Sequence, residues 1–147
     1  MKTFKHILVA TDFGKATAAA LETAASLALT CDAKLTVLHV WEVPIYPYMD
    51  FMLNSEVITR VEDAAVNHLA EALESARKIV PGAQSMLKTG VPWAGIMDAI
   101  EETKPDLVVM GTHGRHGVER VMLGSVAEKL VRLSPVPVLT VRGSQAS

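Results

Sequence analysis

The sequence predicts a doubly wound α/β fold, in which a parallel sheet carries helices on both faces. Short apolar runs of strand length alternate along the chain with stretches whose apolar residues recur at helical spacing. Strands separated by helices favour parallel pairing, and right-handed crossovers leave few topologies for such an order. The chain has 147 residues, a length that fits one domain with its own hydrophobic core. We therefore expect a single domain across residues 1–147.

The chain opens with a strand, a helix and a second strand. Residues 6–10 (HILVA) are a short apolar run that is typical of a buried strand. Residues 16–30 have apolar residues at helical spacing and are rich in Ala and Leu, which are strong helix formers. Residues 35–40 (LTVLHV) are predicted to form the second strand.

A proline-containing loop and the longest helix follow. Pro44 and Pro47 exclude a regular element from residues 42–54, which we predict to be a long loop. Residues 56–79 are amphipathic and end before Pro81, with His68 expected to pack on the apolar stripe. Bulky side chains crowd the loop region and would form a lid over a base, a partner surface or a segment packed on its own domain: Trp41, Tyr46, Tyr48, Phe51 and Met52.

The second half of the chain is predicted to add three strands and two helices. They are a weak strand at 84–88, a helix at 93–103 after Pro92, a strand at 107–110, a helix at 125–133, and a final strand from Val136 to Arg142. In doubly wound folds, ligands bind beyond the carboxyl ends of the strands, where the strand order reverses. The residues that follow each strand are therefore the candidates for a site.

Composition excludes several classes of function. The formal net charge is -2, so the chain has no basic footprint for nucleic acid. No stretch approaches the length of apolar sequence that a spanning helix needs, so we expect no membrane insertion. Cys31 is the single cysteine and cannot form an internal disulfide, and the N-terminus has no signal-type apolar segment. We expect a cytoplasmic protein.

The strongest functional signal is a glycine-rich loop after the fourth predicted strand. Gly111 and Gly114 allow close backbone approach to an anion, and Gly124 and Ser125 open a helix whose N-terminus attracts phosphate. Arg115 would neutralise phosphate charge. Taken singly, each residue has a structural alternative, such as a turn glycine or a helix N-cap. Together they favour a nucleotide site, and the P-loop and G-x-G-x-x-G fingerprints are absent.

Two other strand ends supply candidate contacts to the rest of a nucleotide. Asp12 follows the first strand and would accept hydrogen bonds from a ribose diol, although it could instead cap the next helix. Val40 ends the second strand, where exposed main-chain groups could read an adenine edge, and it could equally be a core residue. His6 and His39 lie in strand patterns and are expected to be hydrogen-bonded within the sheet. His113 and His116 lack a convincing third ligand, so we predict no metal site.

Together these segments resemble the universal stress protein family. The spacing G-x2-G-x9-G-[ST], from Gly111 to Ser125, looks like that family's ATP-binding signature. Five segments also resemble the family in the same order along the chain: HILVATD, LTVLHV, DLVVMGTHGRHG, LGSVAEKLVR and PVLTVR. The resemblance implies the strand order 3-2-1-4-5, Asp12 on the ribose and the Val40 main chain on adenine. It implies a nucleotide-binding set of Ala10, Thr11, Asp12, Val40, Met110, Gly111, His113, Gly114, Arg115, Gly124, Ser125 and Val126.

These observations lead to one preferred function and one alternative. We expect an ATP-binding regulatory protein of the stress response, with Mg²⁺ or Mn²⁺ carried by the phosphates because no acidic cluster lies beside the loop. The alternative is a slow Mg²⁺-dependent ATPase or nucleotide hydrolase that uses His113 or His116. The final strand, from Val136 to Arg142, would lie at a sheet edge, and we expect it to pair with its own copy in a homodimer. Regulatory partner proteins are expected and not identified.

Overall fold

A computed structural model of the chain describes residues 3–12, 15–43, 55–112 and 123–143. Five strands and four helices alternate in this part of the chain. They are β1 (His6–Thr11), α1 (Lys15–Cys31), β2 (Lys34–Trp41), α2 (Ser55–Arg77), β3 (Gln84–Thr89), α3 (Pro92–Thr103), β4 (Leu107–Gly111), α4 (Ser125–Leu133) and β5 (Val138–Val141). The predicted alternation of strand and helix is confirmed, and most boundaries move by one or two residues.

All strand pairs in the sheet are parallel, and the strand order is β3-β2-β1-β4-β5. In the register, Ile7 lies opposite Leu35 on one side and Leu107 on the other. The order reverses between β1 and β4, because the chain builds outward from β1 to β3 and then returns to the other side of β1. This reversal point is where an open α/β sheet leaves a crevice for a ligand.

The alternation of side chains along the strands divides the core into two layers. Ile7 and Val9 of β1 pack in one layer with alanines of α1 and with Leu69 of α2. Leu8, between them in sequence, packs in the other layer with Ile100 of α3 and Leu130 of α4. The apolar runs predicted to be buried on both faces are therefore buried on both faces, and the doubly wound architecture is confirmed.

The long helix α2 ends two residues earlier than predicted, and one side chain on it is placed differently. The N–H of Ile79 donates to the carbonyl of Ala76 at 3.0 Å. This bond joins residues three apart, whereas α-helical bonds join residues four apart, so the last residues form a turn. His68 is exposed beside the buried stripe that contains Ala65 and Leu69, so the prediction that it packs on that stripe is wrong.

The last strand is shorter than the predicted segment from Val136 to Arg142. The Ser134 hydroxyl donates to the carbonyl of Val136 at 2.7 Å and accepts the N–H of the same residue at 3.2 Å. Both backbone groups of Val136 are thus engaged in a local turn, and Pro137 has no N–H to add to the ladder. Regular pairing therefore begins at Val138.

In the part of the chain that the structure describes, no helix has the combination of length and apolar character needed to cross a membrane.

Candidate functional site

The carboxyl ends of β1, β4 and β2 lie along one edge of the sheet, at and beside the reversal point. The first helical turns of α1 and α4 begin at the same edge, because each helix follows its strand after a short or medium connection. The topology therefore brings together the three strand ends that the sequence singled out. What each of them offers differs in chemistry.

At the end of β1, Asp12 is tied to the first turn of α1. The Thr17 hydroxyl donates to Oδ1 of Asp12 at 2.5 Å, and its oxygen accepts the backbone N–H of Asp12 at 3.1 Å. Thr17 is buried and Asp12 is half-buried. The carboxylate is thereby held close to the end of β1, and a carboxylate can accept hydrogen bonds from the hydroxyls of a sugar.

The residue before Asp12 is fixed from the neighbouring strand. Nδ1 of the buried His39 lies 2.6 Å from the carbonyl oxygen of Thr11, so that ring nitrogen carries the proton and donates. His39 lies opposite Thr11 in the register of β1 and β2. The expectation that His39 is a hydrogen-bonded core residue is confirmed, and the bond joins the ends of the two strands.

At the end of β2, the Val40 side chain belongs to the core. It is buried beneath α3, where a Cβ added to Gly95 would lie 2.7 Å from Val40 Cγ1 and 2.8 Å from Cγ2. The helix approaches the strand this closely only because residue 95 has no side chain. Trp41 is also buried, and its carbonyl accepts the N–H of Gly90 at 2.8 Å. Only main-chain groups of Val40 could therefore contact a ligand.

At the end of β4, Gly111 serves helix packing. A Cβ at this position would lie 2.7 Å from Cβ of Ala16 and 3.1 Å from its backbone carbon, so the glycine allows α1 to cross β4. The sequence pattern alone allows this glycine either to open a turn or to admit a phosphate. Met110, beside it, is buried in the layer under α3 and α4 and offers no exposed side chain.

A backbone bond closes the connection between β4 and α4. The N–H of Gly124 donates to the carbonyl of Thr112 at 2.6 Å, and the N–H of Thr112 donates to Val141 at 2.9 Å. The start of α4 is therefore held at the end of β4, beside the reversal point. Gly124 is the N-cap, with φ -63° and ψ 161°, and it has no side chain to cap the helix. The first amides of α4 thus form an N-terminus suited to an anion.

A second polar cluster lies at the opposite edge of the sheet. His6 Nε2 lies 2.8 Å from Oγ1 of Thr36, and Nδ1 lies 3.2 Å from the carbonyl of Thr103. Asp106 accepts the backbone N–H groups of Lys5 and His6 at 2.8 and 3.0 Å. Burial lowers the pKa of His6. These contacts join β1, β2 and the end of α3, so the cluster has a structural role.

The structure brings part of the predicted nucleotide-binding set to one edge. Ala10 is half-buried at the end of β1, Ser125 is exposed at the start of α4, and Val126 packs against the core. His113, Gly114 and Arg115, together with His116, lie outside the described residues, as do Tyr46, Tyr48, Phe51 and Met52.

Three residues that support this edge were not singled out from the sequence: Thr17, Gly90 and Gly95. Thr17 is one of three threonines in an alanine-rich helix, and Gly95 interrupts the α3 pattern. A glycine inside a helical pattern is a signal of close packing, and it could have identified Gly95. Nothing local distinguishes Thr17, since its bond to Asp12 depends on how the chain turns between them.

Comparison with known proteins gives a consistent result. The family model for the universal stress protein family matches residues 3–142. A universal stress protein from Thermus aquaticus is 36% identical over 139 residues, covering 95% of this chain and 99% of the relative. The solved structure of a universal stress protein from Lactobacillus plantarum has a TM-score of 0.85 at 27% identity and covers 97% of this chain and 100% of its own.

Two further solved structures share the fold and are described with ligands. A universal stress protein in complex with cAMP has a TM-score of 0.75 at 22% identity, covering 97% of this chain and 100% of its own. A family protein from Arabidopsis thaliana with AMP bound has a TM-score of 0.69 at 22% identity, covering 96% and 93%. With the match over nearly the whole sequence, the chain belongs to the universal stress protein family.

Proposed function

We propose that this protein binds ATP at the carboxyl edge of β1, β2 and β4 and acts as a nucleotide-dependent regulatory module in the stress response. The whole chain would serve as one nucleotide-binding domain. The proposal rests on membership of the universal stress protein family and on the site geometry. The two relatives described with cAMP and AMP support an adenine nucleotide as the ligand class.

One observation carries the proposal furthest: the bond between Gly124 and Thr112 holds the start of α4 beside the end of β4. An uncapped helix N-terminus at a reversal point is where phosphate is bound in many α/β proteins. Asp12 follows β1, the strand next to β4 in the sheet. The arrangement suits a ligand with an anionic end and a polar sugar.

The division of labour follows from the chemistry at each strand end. The main chain of Val40 would read the adenine edge, because its side chain is committed to the core. Asp12 would accept from the ribose hydroxyls, and the amides of Ser125 and Val126 would donate to phosphate oxygens. Gly114, Arg115 and His113 would complete the phosphate contacts.

A divalent ion would accompany the phosphates. The described residues contain no group of three or more His, Cys, Asp or Glu side chains that could hold a metal. Mg²⁺ is commonly bound through substrate phosphates with few protein ligands, so a Mg²⁺ or Mn²⁺ ion held mainly by the nucleotide fits this site. Hydrolysis of ATP is the alternative function, and a single-turnover measurement with labelled ATP distinguishes it from binding alone.

The substitution Gly124→Val tests the phosphate end of the site. The backbone at Gly124 has φ -63°, which any residue adopts, so the fold should tolerate the change. The added side chain would stand where the phosphates approach the α4 amides. We expect ATP affinity to fall by roughly tenfold or more, or about 1.4 kcal/mol, in isothermal titration calorimetry.

Gly82→Val is the matched control, because nothing lies within 4 Å of a Cβ at this turn, far along the chain from the site. It should bind ATP as the parent does. Parental ATP affinity in Gly124→Val would show that the phosphates lie elsewhere. An absence of adenine-nucleotide binding by the parent at millimolar concentration would refute the proposed function itself.

A further inference from the structure

The bond between Thr17 and Asp12 points to a role for Thr17 that goes beyond helix packing. Thr17 is only 6% exposed, and its hydroxyl makes two hydrogen bonds to a single residue. It donates to Oδ1 of Asp12 and accepts that residue's own backbone N–H. A buried hydroxyl without partners is costly, so this position is suited to threonine only while both bonds are made.

The two bonds together fix the direction of the carboxylate. A hydroxyl has one proton, and because its oxygen already accepts the Asp12 N–H, that proton is directed to Oδ1. The backbone and the side chain of Asp12 are thus held by the same atom, which limits rotation of the carboxylate about its first side-chain bond. A carboxylate has acceptor positions on both oxygens, and the bond from Thr17 to Oδ1 orients the group.

The position of Thr17 in the fold strengthens this interpretation. Thr17 lies in the first turn of α1, and the residue before it, Ala16, packs against Gly111 of β4. The helix start is therefore fixed by the core, and Thr17 transmits that fixed position to Asp12. On the other side, His39 holds the carbonyl of Thr11, the residue just before Asp12.

We propose that Thr17 is a positioning residue that aims the Asp12 carboxylate at the vicinal diol of a nucleotide sugar. The inference rests on the proposed function. On this proposal, the buried Thr17 hydroxyl makes the site prefer ribose to a sugar that lacks both hydroxyl groups of the diol. A correctly directed acceptor gains two hydrogen bonds from the diol, whereas a rotating one loses much of that gain to side-chain ordering.

The test compares ATP with 2′,3′-dideoxy-ATP by calorimetry in the parent and in Thr17→Val. Valine has the same branched shape as threonine and lacks the hydroxyl, so it removes the two bonds. We expect the parent to prefer ATP, and Thr17→Val to lose roughly tenfold in ATP affinity, a change of about 1.4 kcal/mol. Affinity for the dideoxy ligand should change by less than about twofold, which corresponds to less than RT.

Two further variants separate positioning from folding. Thr17→Ser keeps the hydroxyl and should restore the preference for ATP. Thr17→Ala also lacks the hydroxyl and has the higher helix propensity, so it provides the measurement if valine impairs folding. In an Asp12→Ala background, Thr17→Ala should have no further effect on ATP affinity, because the group that it positions is gone.

The outcomes are distinct. An equal loss of affinity for both ligands in Thr17→Val would mean that Thr17 only supports the fold, and it would overturn the inference. So would an unchanged preference for ATP in both hydroxyl-free variants, even though the proposed function would then stand. Failure of the parent to bind either ligand would refute the proposed function and this inference with it.

Discussion

His6 shows how a histidine in a buried strand can be satisfied by the fold itself. Its two ring nitrogens contact Thr103 of α3 and Thr36 of β2, and the cluster lies at the edge of the sheet away from the proposed site. Since the Thr103 carbonyl can only accept, Nδ1 donates and Nε2 accepts from the threonine hydroxyl. The neutral ring therefore meets both partners correctly.

This arrangement predicts a pH dependence of stability. Burial lowers the pKa of His6 below 6.5, an effect that nearby Lys34 reinforces and that the Thr103 carbonyl and Asp106 oppose. The unfolded chain therefore takes up a proton at a higher pH than the folded chain. The free energy of unfolding should fall as the pH drops below about 6.5. Chemical denaturation at about pH 7.5 and about pH 5.5 measures the difference.

His6→Gln is the comparison, because its side chain does not titrate. Its free energy of unfolding should vary less between these two pH values than that of the parent. Asp106 gives a second check at lower pH. Burial alone would raise its pKa, but the amides of His6 and Lys5 lower it overall, so its stabilisation is lost only in more acidic solution. Equal pH dependence in the parent and in His6→Gln would contradict the assignment to His6.

For single residues, the sequence predicted the positions of polar side chains better than it predicted their hydrogen-bond partners. Asp12 was identified by its place after a strand, and His39 by its place within one. The bond from Thr17 depends on the path of the chain between Asp12 and α1, which no pattern of residue types encodes. Gly111 shows the reverse case, because a motif glycine has a packing contact with Ala16 that only the crossing of α1 and β4 reveals.

Among the elements, α3 packs closely on β2 near the proposed site. Gly95 lies against the Val40 side chain, and the strand end is held further by the bond from Gly90 to Trp41. The position of the Val40 main chain, which we propose contacts adenine, thus depends on how closely α3 approaches. If α3 moved outward, it would also lose its contacts with the core layer that contains Leu8 and Leu38.

Gly95→Ala should therefore destabilise the protein although alanine favours the helix. The new Cβ would lie 2.7 Å from a methyl carbon of Val40, and overpacking of this kind costs about 1 to 3 kcal/mol, against a gain in helix propensity of about 1 kcal/mol. Thermal or chemical unfolding measures the net loss. The same substitution should cost less stability in a Val40→Ala background than in the parent. In that background the two methyl groups that the new Cβ would meet are gone.

Gly82→Ala is again the control, since a Cβ there meets nothing. If Gly95→Ala caused no loss of stability in the parent or in Val40→Ala, the close approach of α3 to Val40 would be wrong.

The order and type of the elements followed from sequence periodicity, but their ends did not. The apolar runs identified the strands because both faces of a central strand are buried. The end of α2 and the start of β5 depend instead on single bonds, those of Ile79 to Ala76 and of Ser134 to Val136. Such bonds form only when the preceding element has fixed where the chain enters the turn.

For the molecule as a whole, the sheet has an open edge at β5, which pairs only with β4 among the described strands. Leu139 on this strand is 36% exposed, and Val131 and Leu133 on the adjacent α4 are 51% and 48% exposed. Exposed apolar side chains along an unpaired edge favour association. We propose that two copies pair through β5 about a two-fold axis, as part of the nucleotide-dependent module.

The direction of the backbone groups on β5 determines how this dimer is tested. The carbonyls of Pro137 and Val141 accept bonds from the N–H groups of Val108 in β4 and of Thr112 just after it. By alternation, the N–H of Thr140 therefore points to the open edge. Thr140→Pro should remove a donor at the centre of the proposed contact while the bonds to β4 remain. We expect a dimer in the parent and a shift toward monomer in the variant, measured by sedimentation velocity across a range of protein concentrations.

Thr140→Val keeps the N–H and should remain dimeric. If Thr140→Pro were as dimeric as the parent, the contact between the copies would lie on another face. If the parent itself were monomeric, edge pairing would be wrong while the nucleotide site stood unaffected, because every residue placed in that site belongs to one copy.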